Sequence, residues 1–339
     1  MRIIIRLTIA FVILSTVFYF GYRLIFGPFE KIAPPANPPF FSVTYSYFFN
    51  TTKINAGITI GKEIDEDIAN IKKAGFEGVK INFAFGQNNL LSDKIANVVA
   101  RNGMYTIGQF IGHNIKPKER AFTEDELTQW ENFVRFEVKR NKNTIYYWEV
   151  WNEPAMTELR FRYGTPTEYL ELLRRTEKII RKENPLAKII VTVDATDRET
   201  TVFTNEFLTL GGDKYFDYLS FHPYNNNDSA IEETVFKNKM AKEINLVKEY
   251  KLTKPLWISE IGCPDSETSE EGQAQRALMA FKTAYENKIP VIWLHYSDRR
   301  LPAVDGKRGW GLVREDNTLK PSYEAIKSFI SGLKKTSLY

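Results

Sequence analysis

The sequence predicts a (β/α)8 TIM barrel over residues 40–335, preceded by an N-terminal transmembrane helix. Three observations lead there. Eight short apolar, β-prone runs alternate with stretches of helical periodicity. No Gly-rich phosphate turn follows the first strand, where Phe48-Phe49-Asn50-Thr51-Thr52 stands instead, which disfavours an open doubly wound sheet. Polar residues also gather at the strand ends, which in a barrel all converge on one face.

The first strand is Phe41-Ser42-Val43-Thr44-Tyr45-Ser46-Tyr47. Ile64, Ile68 and Ile71 then recur at helical spacing and stop at Gly75, a good C-terminal cap. A second strand over 78–83 is followed by a helix over 93–101 and a third strand over 104–110. Thr123 and Glu126 can form a capping box for a helix reaching about Lys139. The fourth strand, 144–150, runs into Trp151-Asn152-Glu153-Pro154, and a helix over 167–182 follows Pro166. The fifth strand is 187–193. The sixth, 216–221, ends at His222-Pro223-Tyr224. A helix over 231–250 leads to the seventh strand, within Pro255-Leu256-Trp257-Ile258-Ser259-Glu260-Ile261-Gly262. Ala274, Ala277, Leu278 and Phe281 mark another amphipathic helix, and 290–295 is the eighth strand. Pro321 opens a last helix with Tyr323, Ile326, Phe329 and Ile330 facing inward.

Residues 7–22 carry no charge, and Leu24, Ile25 and Phe26 follow Arg23. That makes residues 7–26 a membrane span, within an anchor over 1–27. Arg2 and Arg6 precede the run, so the positive-inside rule keeps the N-terminus cytoplasmic and places the barrel in the periplasm or outside the cell. Secretion after signal cleavage is the alternative. No small-residue cleavage site follows the apolar run, which favours the anchor. Residues 28–39 hold Ala33-Pro34-Pro35-Ala36-Asn37-Pro38-Pro39 and predict a proline-rich stalk.

Charge excludes one class of partner. Residues 1–39 carry Arg2, Arg6, Arg23 and Lys31 against Glu30, or +3; the other 300 residues carry 42 basic and 41 acidic side chains, or +1. No phosphate-binding surface is implied, so nucleic acid is not an expected partner. Cys263 is the single cysteine, and the three histidines (His113, His222, His295) share no metal-ligand spacing. No metal site is expected.

The chemistry sits at two strand ends. Glu153 follows the fourth strand and Glu260 ends the seventh, 107 residues later. Two carboxylates across a barrel mouth are the minimum equipment for cleaving a glycosidic bond. Lys80, Asn152, His222, Tyr224 and Trp293 also lie at strand ends, and Trp310 lies in the following loop, in Gly309-Trp310-Gly311. Plain packing competes for several of them: His222 as a core histidine, Trp293 and Trp310 as core aromatics, and Lys80 as a structural charge.

At these points the chain resembles the clan A glycoside hydrolases, with a look closest to families 39 and 5. Asn152-Glu153-Pro154 matches the Asn-Glu-Pro signature. Trp257-Ile258-Ser259-Glu260 matches the nucleophile setting, His222 and Tyr224 the His-x-Tyr after strand six, and Trp293 the strand-eight tryptophan. Two positions depart: Lys80 stands where family 5 carries Arg, and Gln109-Phe110-Ile111-Gly112 precedes His113 where the family has His. The resemblance implies a retaining glycosidase acting on a carbohydrate, with Glu260 as nucleophile, Glu153 as acid/base and no cofactor. It assigns Asn152 to the sugar 2-hydroxyl, Tyr224 to Glu260 and Trp293 to the sugar platform; Trp310, which the family pattern does not match, is a candidate second platform. A catalytically silent carbohydrate-binding barrel and a transglycosylase are the alternatives.

Overall fold

The computed structural model describes residues 30–45, 57–112, 121–155, 164–193, 197–224, 231–299 and 308–336. Its strands are β1 (Phe41–Thr44), β2 (Gly78–Ala84), β3 (Tyr105–Ile111), β4 (Ile145–Val150), β5 (Lys188–Thr192), β6 (Tyr218–Phe221), β7 (Leu256–Ile261) and β8 (Val291–Trp293). They pair in chain order and in parallel, and β8 closes back onto β1. The expected TIM barrel is therefore present. Its helices are α1 (Gly57–Lys73), α2 (Leu90–Arg101), α3 (Glu124–Asn141), α4 (Pro166–Glu183), α5 (Arg198–Thr209), α6 (Glu233–Glu249), α7 (Glu270–Glu286) and α8 (Pro321–Thr336).

Local chemistry starts these helices. The capping box of Thr123 and Glu126 forms at α3, and Thr165 with Glu168 repeats it at α4 ahead of Pro166. Between β5 and β6, where no helix is expected from the sequence, stands α5. Its N-cap is Asp197, whose side chain accepts from the Thr200 backbone amide. That signal was present, but an Asp–Thr box is less distinctive than a Thr–Glu one.

Strand alternation sorts the barrel's residues into two faces. The outward set, including Val79, Trp148, Ile258 and Trp293, packs with the helices in one large apolar cluster. The inward set begins with Ile107, Tyr147, Ile190, Trp257 and Ile292, which fill the lower barrel. Two residues further along, five of the strands turn polar inside: Gln109 on β3, Glu149 on β4, Thr192 on β5, Ser220 on β6 and Ser259 on β7. All five are buried. Lys80 shares this polar layer, since its neighbours Val79 and Ile81 belong to the outer cluster. An apolar plug below and a polar layer above give the barrel a floor on which a site can stand.

The predicted anchor lies outside the described residues. Among the described residues, no helix is long and apolar enough to cross a membrane. The start of the predicted stalk is tied to the barrel. The Ile32 amide donates to the Asn143 carbonyl at 3.0 Å, the Tyr146 hydroxyl donates to the Ile32 carbonyl, and Ile32 packs on the lower plug. The Glu30 amide donates to Asn97 at 3.0 Å. These contacts lie at the barrel end opposite Glu153 and Glu260.

Candidate active site

The turn after β4 is held in a conformation that most side chains avoid. Trp151 has φ 71° and Glu153 has φ 45°, both in the left-handed region. Each such residue costs about 1–3 kcal/mol, so its surroundings must enforce it. The Trp151 ring packs against Trp130 at 5.5 Å and Phe122 at 6.5 Å. The Tyr169 hydroxyl donates to the Val150 carbonyl at 2.7 Å. Gln109 donates to the Trp151 carbonyl at 3.2 Å and to Asn152 Oδ1 at 3.0 Å. The outcome is a buried Glu153 and a half-buried Asn152 at the barrel mouth.

Glu153 is joined to the polar layer beneath it. Its Oε1 lies 2.5 Å from His222 Nδ1, and His222 Nε2 lies 3.0 Å from Ser259 Oγ. Ser259 donates to Glu149 Oε1 at 2.8 Å, and Thr192 also donates to that oxygen. Lys80 pairs with Glu149 Oε2 at 2.6 Å, with both side chains at most 1% exposed. On the other side of the mouth, the Tyr224 hydroxyl donates to Glu260 Oε1 at 3.2 Å. Glu153, His222 and Glu260 each bring a polar atom to within 4.8 Å of the others.

That trio also has donor types suited to a cation. The 2.5 Å contact between Glu153 and His222 is too short for two ligands around one ion, which at bond lengths near 2.0–2.1 Å would stand farther apart. It is a proton-sharing distance.

A family model described as Glycosyl hydrolases family 39 matches residues 100–261, a stretch from the end of α2 through β7 that holds both glutamates. The chain resembles the clan A glycosidases of families 39 and 5. The family match supports a glycosidase, and the similar structures share the fold. The fold is shared with a family 39 glycoside hydrolase from the gut symbiont Bacteroides cellulosilyticus. The TM-score is 0.68 at 20% identity, over 90% of this chain and 66% of that one, just under two thirds of that enzyme's length. A GH5_18 protein from Streptomyces cattleya in complex with Manb1-4GlcNAc gives 0.67 at 15% identity, over 86% and 80%. A Bacteroides uniformis beta-glucuronidase gives 0.60 at 16% identity, over 80% and 33%. No curated protein matches the sequence.

Within the barrel, Asn152, Glu153, His222, Tyr224 and Glu260 come together at the mouth. Three expectations need correction. Lys80, expected to bind substrate, is 0% exposed and neutralises Glu149 inside the barrel. It sits at an inward position three residues into β2 instead of at the strand's end. Trp293, expected as the sugar platform, is also 0% exposed, and its ring lies 6.3 Å from Phe281 of α7. Alternation decides this: Ile292 faces the barrel interior, so Trp293 must face the helices. Trp310, expected as a second platform, is also buried, at 4% exposed; its ring meets Tyr224 edge-on at 6.2 Å and so backs the mouth from behind that side chain. Its turn is clamped by Lys320, which contacts the Gly309 carbonyl at 3.1 Å and pairs with Asp265 and Asp298 at 2.7 Å each. His113 lies outside the described residues.

Glu149, Ser259, Gln109, Thr192 and Ser220 were not expected at the site. A signal for them existed. A polar residue inside an otherwise apolar strand must find a buried partner, and five such residues share one height.

Proposed function

We propose that this protein is a retaining glycoside hydrolase that cleaves O-glycosidic bonds of an oligosaccharide or polysaccharide by double displacement. The observation that carries the reading is the approach of Glu153 and Glu260 oxygens to within 4.8 Å across the barrel mouth. Retaining enzymes hold their carboxyl groups about 5–5.5 Å apart, whereas inverting ones leave about 6.5–9.5 Å for a water molecule.

In the first step a Glu260 oxygen bonds to the anomeric carbon while the bond to the leaving oxygen breaks. Glu153 gives its proton to that oxygen. In the second step Glu153, now a carboxylate, removes a proton from water. The water oxygen bonds to the anomeric carbon and Glu260 leaves. Tyr224 donates to Glu260 and steadies its charge as a leaving carboxylate. Asn152, oriented by Gln109, receives the 2-hydroxyl, and Trp310 packs edge-on against Tyr224 and holds it beside Glu260.

Residues 7–26 tether this domain outside the cytoplasmic membrane. The chain enters the barrel at the end opposite the glutamates, where Glu30 and Ile32 are bound, so the mouth points away from the lipid.

The reading is tested with aryl glycosides. Glu260→Ala should abolish turnover. Glu153→Ala should spare substrates with good leaving groups and be rescued by azide with retained anomeric configuration. Full turnover by Glu260→Ala, or an inverted product from the wild type, would sink it.

A further inference from the structure

We propose that the buried Lys80–Glu149 ion pair, acting through Ser259, sets the tautomer of His222 and so keeps the catalytic proton on Glu153. The proposal rests on the glycosidase reading for its consequence and on hydrogen-bond geometry for its cause. Lys80 and Glu149 are positioning residues here, since neither reaches the mouth.

Lys80 Nζ lies 2.6 Å from Glu149 Oε2 and also donates to the Ser259 carbonyl at 3.1 Å. With Lys80 beside it, Glu149 is an acceptor only. Its Oε1 lies 2.8 Å from Ser259 Oγ, so the Ser259 hydrogen must occupy that contact. Without it, two sets of lone pairs would face each other in a buried site. Ser259 has one hydrogen, and it is now spent. Toward His222 Nε2, at 3.0 Å, Ser259 can therefore only accept, and His222 must carry its proton on Nε2. Ser259 is also within donating reach of Ser220 Oγ at 3.0 Å, but the shorter contact to the Glu149 carboxylate is the charge-assisted one and takes the hydrogen; Thr192 donates to Glu149, and neither Ser220 nor Thr192 supplies a hydrogen to Nε2.

The neutral imidazole then presents a lone pair at Nδ1. Glu153 Oε1 lies 2.5 Å from it, and the proton between them belongs to the carboxyl group. A hydrogen bond to the neutral form of an acid holds its proton on. The opposite tautomer would point Nδ1–H at Glu153 and favour the carboxylate, which cannot protonate a leaving group. The charged and titratable groups around this pair are Lys80 on β2, Glu149 on β4, Glu260 on β7 and Tyr224 after β6. Tyr169 on α4 also feels the Glu149 charge.

The experiment is ¹⁵N-histidine NMR of the full chain in detergent, with the His222 signal identified by its loss in His222→Gln. The wild type should show the neutral Nε2–H tautomer near pH 6. Ser259→Ala should switch it to Nδ1–H, and Ser259→Thr should restore Nε2–H. Lys80→Met with Glu149→Leu removes both charges together, so no lone buried ion is left to unfold the barrel. It frees Ser259 to donate to Nε2 and should also switch the tautomer. In both switched variants, kcat/KM on phenyl glycosides should fall about 10–100-fold, and dinitrophenyl glycosides, which need no acid, should be cleaved as before. The alkaline limb of the pH profile should move about one unit lower. An Nδ1–H or doubly protonated ring in the wild type, or Nε2–H retained in the switched variants, overturns the proposal. A wild type that shows Nε2–H but cleaves no glycoside leaves the tautomer assignment standing and defeats the glycosidase reading instead.

Discussion

Gly112 has no side chain because the Trp151 indole fills that space: a β-carbon at Gly112 would lie 2.4 Å from the ring. Trp130 would be 2.8 Å from the same carbon, so neither ring can yield without moving the other. The left-handed turn that presents Glu153 therefore leans on a glycine at the end of β3. Gly112→Ala should destabilise the fold by about 1–3 kcal/mol through overpacking. It should also cut kcat by about 10-fold or more, because a small displacement of a catalytic group is costly. Urea unfolding and steady-state kinetics measure both. Wild-type kcat in a folded variant would mean that the Trp151 seat does not position Glu153.

The two tryptophans should separate by phenotype. Trp293→Ala removes a fully buried ring and should cost about 3–5 kcal/mol of stability. Trp310→Ala also removes a buried ring, 4% exposed, and should cost stability too, but it alone should raise KM, because its ring braces Tyr224 beside Glu260. Thermal unfolding alongside KM for an oligosaccharide tests the pair of outcomes.

Tyr224→Phe should lower the rate of the glycosyl–enzyme step. The lost hydrogen bond reaches a charged acceptor, a contact worth about 1.5–3 kcal/mol, or about 10–100-fold in kcat. Burst kinetics with a dinitrophenyl glycoside would show which step slows.

Stability should depend on pH through a cluster remote from the mouth. Asp93 on α2 is buried against Arg140, Glu137 and Asn141 of α3. Burial pushes its pKa from 3.8 up to about 7; Arg140 at 2.9 Å and the hydrogen bond from Asn141 pull it back by less, and the nearby Glu137 charge adds a little to the rise. The folded protein thus holds this proton more tightly than the unfolded chain. The contribution is fully favourable below about pH 4 and is lost as pH rises toward about 7. Urea midpoints at pH 5 and pH 8 should differ accordingly, and Asp93→Asn should flatten that slope. An unchanged slope would remove Asp93 from the account.

Patterns of two and 3.6 residues were enough to determine the barrel, its strand order and the two strand ends that carry Glu153 and Glu260. Those features are local: each of the eight strands declares itself within about ten residues, and barrel closure brings the ends together whatever the details. Tertiary structure alone decided which way each side chain faces and what it meets. One step of strand register separates Ile292 in the barrel from Trp293 against α7, and it moved the expected platform out of the site. Lys80 could not be told apart from a substrate-binding lysine until Glu149, 69 residues later, was seen beside it. Buried charges choose partners through space, and no spacing along the chain records that choice.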